Sequence, residues 1–551
     1  MTESKEDLAA SPEPDGAQAP ADEPDVVPAP EDELEPEPEP EPELADAPED
    51  VLDAPTSATR RRLRAAVALT LVAAIIVFGA LGGARLAGIP SETPSPTPHP
   101  ARLVAIDAGG ALAMMDGLGG ALVPYLAPGV QFGFPAWSPD GTHIAATGQG
   151  AGSGVIHVFA VPPPGATGAA PAGASPSTGS AAPADAGSAA ATGPAVDESG
   201  VIYRSTHAPP FYLYWTPDSR QVGFLTQEAN GISLRIAPAD GSAAATTIRQ
   251  GAPLYWDWVD SGRLLAHIGG GAPDAFVGEV GLDGRSVDAA AIAPDTSLSP
   301  ATSAAPDGAL SAGVFRSPAV SHDGRYRAYV EVTSAAAEEI VLEARDGSSK
   351  RTLPVPGATA VEFDPTGASL AYVAPVDAAA QPQDLPLGPL RLMDPTSGSS
   401  RTLLGGTVVG FFWAPDGKTI AALELPGPGN NGVQAAVPRF ELALARLTST
   451  RVRTPDAIDA AAGIGLHLAF VDVATAAVRS QRDVQVSVTF VNQILPYFDQ
   501  YALSHRFWSA DSASLALPLV SADGTDQLAV IPSSGTDPHP IAGRTIGFWS
   551  P

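Results

Sequence analysis

The chain has no cysteine among its 551 residues. That removes disulfide staples, thiolate zinc sites, a cysteine nucleophile and a lipidated-cysteine anchor, and it leaves the compartment open, because a large domain needs no staples. Basic residues are scarce too: 30 Lys and Arg stand against 61 Asp and Glu, a formal net charge of −31. Phosphate backbones and anionic lipid surfaces call for clustered Lys and Arg, so nucleic acid is not an expected partner. No Gly-x-Ser-x-Gly elbow and no Gly-x-x-x-x-Gly-Lys-Ser/Thr loop occurs. The nine histidines are scattered, and none pairs with another at a metal-ligand spacing. The sequence thus names no catalytic residue, no cofactor and no metal ligand. It predicts a non-enzyme, with a residual chance of a glycosidase- or lyase-like site assembled from carboxylates of several repeats.

What is present is unevenly spread. Residues 1–59 hold twenty acids and one base, Lys5, and Glu alternates strictly with Pro from Glu35 to Glu43. Such a segment has almost no aromatic or β-branched content, so it cannot bury enough surface to offset its ordering entropy. Alternating Glu-Pro favours an extended polyproline II spacer at ~3.1 Å per residue. Arg60, Arg61, Arg62 and Arg64 follow, and then an uncharged run from Ala65 to Ala84. A helix rising ~1.5 Å per residue would carry that run across ~30 Å, one hydrocarbon core. The Arg cluster on its N-terminal side predicts a single-pass anchor over 65–84 in the cytoplasmic membrane, with 1–64 cytoplasmic and the remainder extracytoplasmic. The small residues of "GALGGARLAG" keep a cleaved signal segment as the alternative. Residues 85–101, with "SETPSPTPHP", read as a Pro-rich stalk.

Beyond the stalk, helix periodicity gives way to short apolar runs and recurrent turn signals. "WSPDG" at 137–141 is echoed by "WTPDS" at 215–219, "WVDSG" at 258–262 and "VSHDG" at 320–324. "FDPTG" at 363–367, "WAPDG" at 413–417, "WSADS" at 508–512 and "WSP" at 549–551 continue the series. The clean spacings, 215 to 258 and 320 to 363, have the length of a four-stranded propeller blade. In "WAPDGKTIAALEL" Pro415 suits the second position of a turn and Gly417 a positive φ, while the strand Thr419 to Leu425 is apolar on both sides. Asp140, Asp218, Asp323 and Asp416 are accordingly read as turn formers rather than ligands. A second pattern, an apolar strand closed by an Asp/Gly turn, recurs in "SLRIAPADG" (233–241), "IVLEARDG" (340–347) and "LAVIPSSG" (528–535). The stretch 102–129 has three strands' worth of residues without an entry motif, and "TIGFWSP" at 545–551 has an entry without its strands. The two are expected to build one blade and close the ring. The expected fold is all-β, an eight-bladed propeller, or seven-bladed if "VSHDG" or "WVDSG" is not a true unit.

These units resemble the repeats of the TolB-like propellers, whose shared core is W-S-P-D-G-(K/R)-x-(I/L)-A; the resemblance covers residues 102–551 apart from insertions near 161–195 and 291–313. It implies the fold. In that family a small α/β domain precedes the propeller, which binds a periplasmic partner. No such domain precedes the repeats here, so the family's partners are not carried over.

One stretch breaks the pattern. "VSVTFVNQILPYFDQYALSHRFW", residues 486–508, gathers aromatics with a histidine and an arginine. Aromatic residues and Arg dominate binding hot spots, which marks Tyr497, Phe498, Tyr501, His505 and Arg506 as candidate partner-binding residues. The competing reading is an extended connector packed under a blade. Overall, the sequence predicts a membrane-anchored extracytoplasmic module that binds or scaffolds a protein or a glycan. A transmembrane sensor signalling through the acidic tail is the alternative.

Overall fold

A computed structural model describes residues 101–551 except 121–122, 126, 163–199, 230, 270–275, 288–316, 335–336, 358, 377–385 and 427–462. The predicted acidic tail, the membrane helix 65–84 and the stalk up to residue 100 lie outside the described residues, as do nearly all of the two insertions. Among the described residues no helix is long and apolar enough to cross a membrane.

Short strands bounded by turns dominate, and they pair antiparallel in sequence order. The reason is local. Strands such as Leu370–Val373 and Thr419–Glu424 are buried at every position, so each is covered on both faces. The tetrapeptide turns hold the hairpins. Ser138 Oγ donates to Asp140 Oδ1 at 2.7 Å, and the same carboxylate accepts the Thr142 N–H at 3.0 Å. Thr216 with Asp218 and Ser321 with Asp323 repeat the first bond, and Asp416 accepts the Lys418 N–H at 2.9 Å. All four predicted turn-forming carboxylates are thus engaged inside their own turns. The units at 258–262 and 320–324 are genuine hairpins too: Leu254–Asp260 pairs with Arg263–Ile268, and Ala319–Val320 with Tyr326–Ser334.

The seam forms as expected. Ile546–Trp549 pairs with Arg102–Ile106 in the register Leu103↔Trp549 to Ile106↔Ile546, and Leu112–Asp116 and Val123–Tyr125 complete that sheet. Further four-stranded sheets run Val130–Trp137 to Val201–Ser205, Pro210–Trp215 to Thr246–Gly251, and Ala319–Val320 to Lys350–Val355. Leu254–Asp260, Arg263–Ile268 and Phe276–Gly281 form a three-stranded one. From Ala360 onward ten strands are continuous, because the 14-residue strand Ser400–Trp413 pairs with Gly388–Met393 through one half and with Thr419–Glu424 through the other.

Three of the six turn-motif tryptophans join neighbouring repeats. Trp137 Nε1 donates to the Phe548 carbonyl, Trp215 Nε1 to that of Ala136, and Trp508 Nε1 to that of Phe412, each at 3.0 Å. Every acceptor immediately precedes the tryptophan of the repeat before. A second row of links runs beside it: the Asp140, Asp218 and Asp416 N–H groups donate to Ser219, Ser261 and Ser512 Oγ at 3.0–3.1 Å. The first strands of the sheets therefore stand side by side around a common centre, which is the arrangement of a β-propeller.

Candidate functional site

The centre of the ring is occupied by the chain itself. The stretch 486–508 is not an extended connector: after Val486 it coils through a π-helical turn, Phe490–Ile494, a 3-10 turn, Leu495–Tyr497, and an α-helix, Phe498–Ser504. Its sequence explains this. Apolar residues at 490, 491, 494, 495, 498 and 501 follow helical spacing, and all six are buried. Pro496, which lacks an N–H to donate, sits at the tightened 3-10 turn.

Phe498–Ser504 touches four strands in three sheets: Pro210–Trp215, Leu254–Asp260, and both Ala360–Phe363 and Ser400–Trp413 of the ten-stranded sheet. The Phe498 ring lies 5.3 Å from that of Phe411, and Tyr501 lies 5.4 Å from Tyr212 and 5.5 Å from Phe134. Gln500 is the anchor. Its Oε1 accepts the Trp256 N–H at 3.0 Å, and its Nε2 donates to the Trp256 carbonyl at 2.8 Å and to the Tyr212 hydroxyl at 3.1 Å. Tyr212 in turn donates to the Gln500 carbonyl at 2.7 Å. Trp256 lies in the first strand of its sheet, whose inner edge has no strand partner among the described residues. One glutamine side chain satisfies both backbone groups there, standing in for a neighbouring strand.

Around this plug lie three buried carboxylates. Asp257 accepts the Tyr214 hydroxyl at 2.9 Å and the backbone N–H groups of Trp258 and Val320 at 2.8 Å each. Burial nevertheless pushes its pKa up to about 6, against the pull of those three donors. Burial pushes Asp499 up to about 7. Its Oδ1 accepts the Gln500 N–H at 2.9 Å, and its Oδ2 has no partner among the described residues. Glu362 is held well above the ordinary carboxylate range, first by burial and then by the charges of Asp499 and Asp257. Its Oε2 is also unpartnered. Beside them burial drives His505 down to about 3, so it stays neutral, with Nδ1 against Ser504 Oγ at 2.7 Å. Among the described residues no set of His, Asp and Glu side chains is arranged to hold a metal ion.

The five residues singled out from the sequence divide sharply. Phe498, Tyr501 and His505 are 0 %, 6 % and 2 % exposed, and a partner cannot touch them while the fold is intact. Tyr497 and Arg506 are exposed. Arg506 is open to solvent yet crowded by surrounding protein. That crowding lowers its pKa against the opposing effect of Tyr214, and its guanidinium makes no ion pair among the described residues. His322, likewise accessible but crowded, is lowered by desolvation and then by the Arg506 charge. Sequence reading passed over Gln500, Asp257, Glu362 and Asp499. A signal existed for two of them: Asp257 and Glu362 precede Trp258 and Phe363, where the other repeats carry Ala, Phe or Tyr.

No family model matches the chain, and no curated protein matches it. Among solved structures it is similar to TolB from Acinetobacter baumannii, at 13 % identity and a TM-score of 0.30, over 63 % of this chain and 67 % of that one. It is also similar to the dihydro-heme d1 dehydrogenase NirN in complex with DHE (10 %, TM-score 0.41, 84 % and 78 %). A third likeness is to prolyl endopeptidases (13 %, TM-score 0.30, 79 % and 53 %). The propeller arrangement itself rests on the strand pairings and the tryptophan joints described above.

Proposed function

We propose that the chain is an eight-bladed propeller serving as a binding or scaffold module for a protein or a glycan, tethered by a membrane helix at 65–84 with the propeller outside the cytoplasm. The observation that carries this reading is the plug. A connector with its aromatic side chains packed against four strands in three sheets leaves the ring a solid centre, and the three central carboxylates lie out of reach of a bulky substrate. The working surfaces are then the two faces and the rim, which suits recognition better than turnover. Eight blades follow from the eight tryptophan-type units, of which the two weakest each begin a sheet. The anchor and its orientation rest on the apolar run and the Arg cluster.

The test is in-cell crosslinking of the tagged full-length protein followed by mass spectrometry, with fragment 1–100 as the control. A stoichiometric partner absent from the control supports the module. Removal of Tyr497 and Arg506 side chains together then asks whether that partner uses the exposed part of the connector. Retention of all function after deletion of residues 1–59 would exclude a sensor that signals through the tail.

A further inference from the structure

On the face where the connector enters the ring, a cavity of about 370 Å³ opens between the seam sheet, its neighbour and the connector's first turn. Its floor is aromatic: Phe132 is packed against Phe159 at 5.5 Å, and Phe134 against Tyr501 of the plug. One wall is bare backbone. Gly110 has φ +78°, and a Cβ there would sit 3.0 Å from the Gln131 Cα, so this hairpin lies directly against the neighbouring strand. The contact is locked by the Phe132 N–H donating to the Gly110 carbonyl at 2.8 Å.

The polar groups at the mouth are nearly idle. Gln131 and Gln493 are exposed, and neither side-chain amide bonds to protein among the described residues. Asp526 has only a long contact, 3.4 Å from Thr489 Oγ1, and burial raises its pKa although its surface is accessible. Asp107, the other lining carboxylate, is spent: it accepts the Gly109 and Ala111 N–H groups at 2.9 Å, and its Oδ2 lies 3.8 Å from the Arg544 guanidinium. Among the described residues no Lys or Arg lines the cavity.

We infer that this cavity binds a neutral carbohydrate of one or two sugar units. Two amides that both donate and accept, one carboxylate that accepts, and an aromatic floor match the hydroxyl-rich edges and apolar ring faces of a sugar. Arg544, the cation beside this wall, is tied to Asp107 and to the Ala111 carbonyl at 3.1 Å, which leaves no free cation among the described residues there for acidic sugars or phosphorylated ligands. A single uncommitted carboxylate is too little to replace the hydration of a polyamine. The volume lies at the small end of ligand pockets, which run from about 300 to 1,000 Å³. The inference rests on the binding-module reading and narrows it to this face and this ligand class.

The probe is an array of neutral and acidic mono-, di- and trisaccharides, applied to the full-length protein in detergent. Calorimetry with the best-bound sugar follows, on the wild type and on Asp526→Asn and Gln493→Ala. Both positions are exposed, so melting temperatures should stay within a few degrees of wild type. Binding confined to neutral sugars, weakened at least tenfold by each variant, supports the site. Binding of acidic sugars only, binding indifferent to both variants, or no binding overturns it. If no sugar binds yet crosslinking captures a protein partner, this inference falls and the module stands; if both are empty, the module reading falls as well.

Discussion

The joints between sheets and the centre of the ring hold the same strands in different ways. The joints are repeated and cheap. A tryptophan on one sheet reaches one carbonyl on the sheet before, and a serine in the next turn accepts one N–H. The tryptophan joint is made at the same place in the repeat by Trp137, Trp215 and Trp508, so losing one leaves the other two intact. The centre is built once. Phe498, Gln500 and Tyr501 must satisfy four strands in three sheets at the same time, with buried carboxylates beside them that have too few donors. Redundant contacts spread the consequence of a change, whereas a unique contact concentrates it.

The largest expected effect is therefore at the centre. Phe498→Ala removes a fully buried ring from among Phe411 and Phe412, and should cost about 3–5 kcal/mol in denaturant unfolding. A loss below about 1 kcal/mol would mean that the plug is a loose insert, and the comparison would collapse. Asp499→Asn probes the same place through pH. The Asp499 pKa rises from its ordinary value to about 7 on folding, so its contribution favours the fold below the ordinary carboxylate pKa. That contribution is lost as pH climbs from about 4 to about 7. His505 has the opposite sign, its depressed pKa costing stability as pH falls from the ordinary histidine value to about 3. Asn at 499 should remove the Asp499 part of the carboxylate slope and leave the parts from Asp257 and Glu362 together with that of His505, making the variant more stable than wild type at pH 8 by a few kcal/mol, at about 1.4 per pKa unit. Equal pH profiles for the two proteins would place Asp499 in water. Gln500→Ala comes next, stranding the Trp256 N–H and carbonyl at about 1–3 kcal/mol per group left unpaired, while the Tyr212 hydroxyl keeps its bond to the backbone carbonyl of residue 500.

The same contrast explains how much could be read in advance. The hairpins, the seam between Arg102–Ile106 and Ile546–Trp549, and the turn role of Asp140 were legible because each depends on residues close in sequence or repeated eight times. Periodicity multiplies a weak local signal. The plug depends on pairings made once, such as Gln500 with Trp256, 244 residues apart, and nothing in the spacing of "YFDQYALS" names that partner. Its aromatics stood out as a cluster, but composition does not separate a surface that binds a partner from one that binds the protein's own interior. Only the charged residues at 257 and 362, out of place among apolar siblings, hinted that the centre was special.

The smallest effect tests the joints themselves. Trp215 and Trp258 occupy the same position in adjacent sheets and both are buried, yet Trp215 Nε1 has its carbonyl at 3.0 Å while Trp258 Nε1 has no partner among the described residues. Replacing either by Phe removes a similar volume, so the packing losses should nearly cancel in the comparison. The difference between the two variants then isolates the joint. Trp215→Phe should be the more destabilising by about 1 kcal/mol, the net worth of a neutral hydrogen bond plus part of the penalty for an orphaned carbonyl. Equal losses would assign the joint to packing alone. A larger loss at Trp258 would mean that its indole finds an acceptor in solution, adding a fourth joint to the three made by Trp137, Trp215 and Trp508.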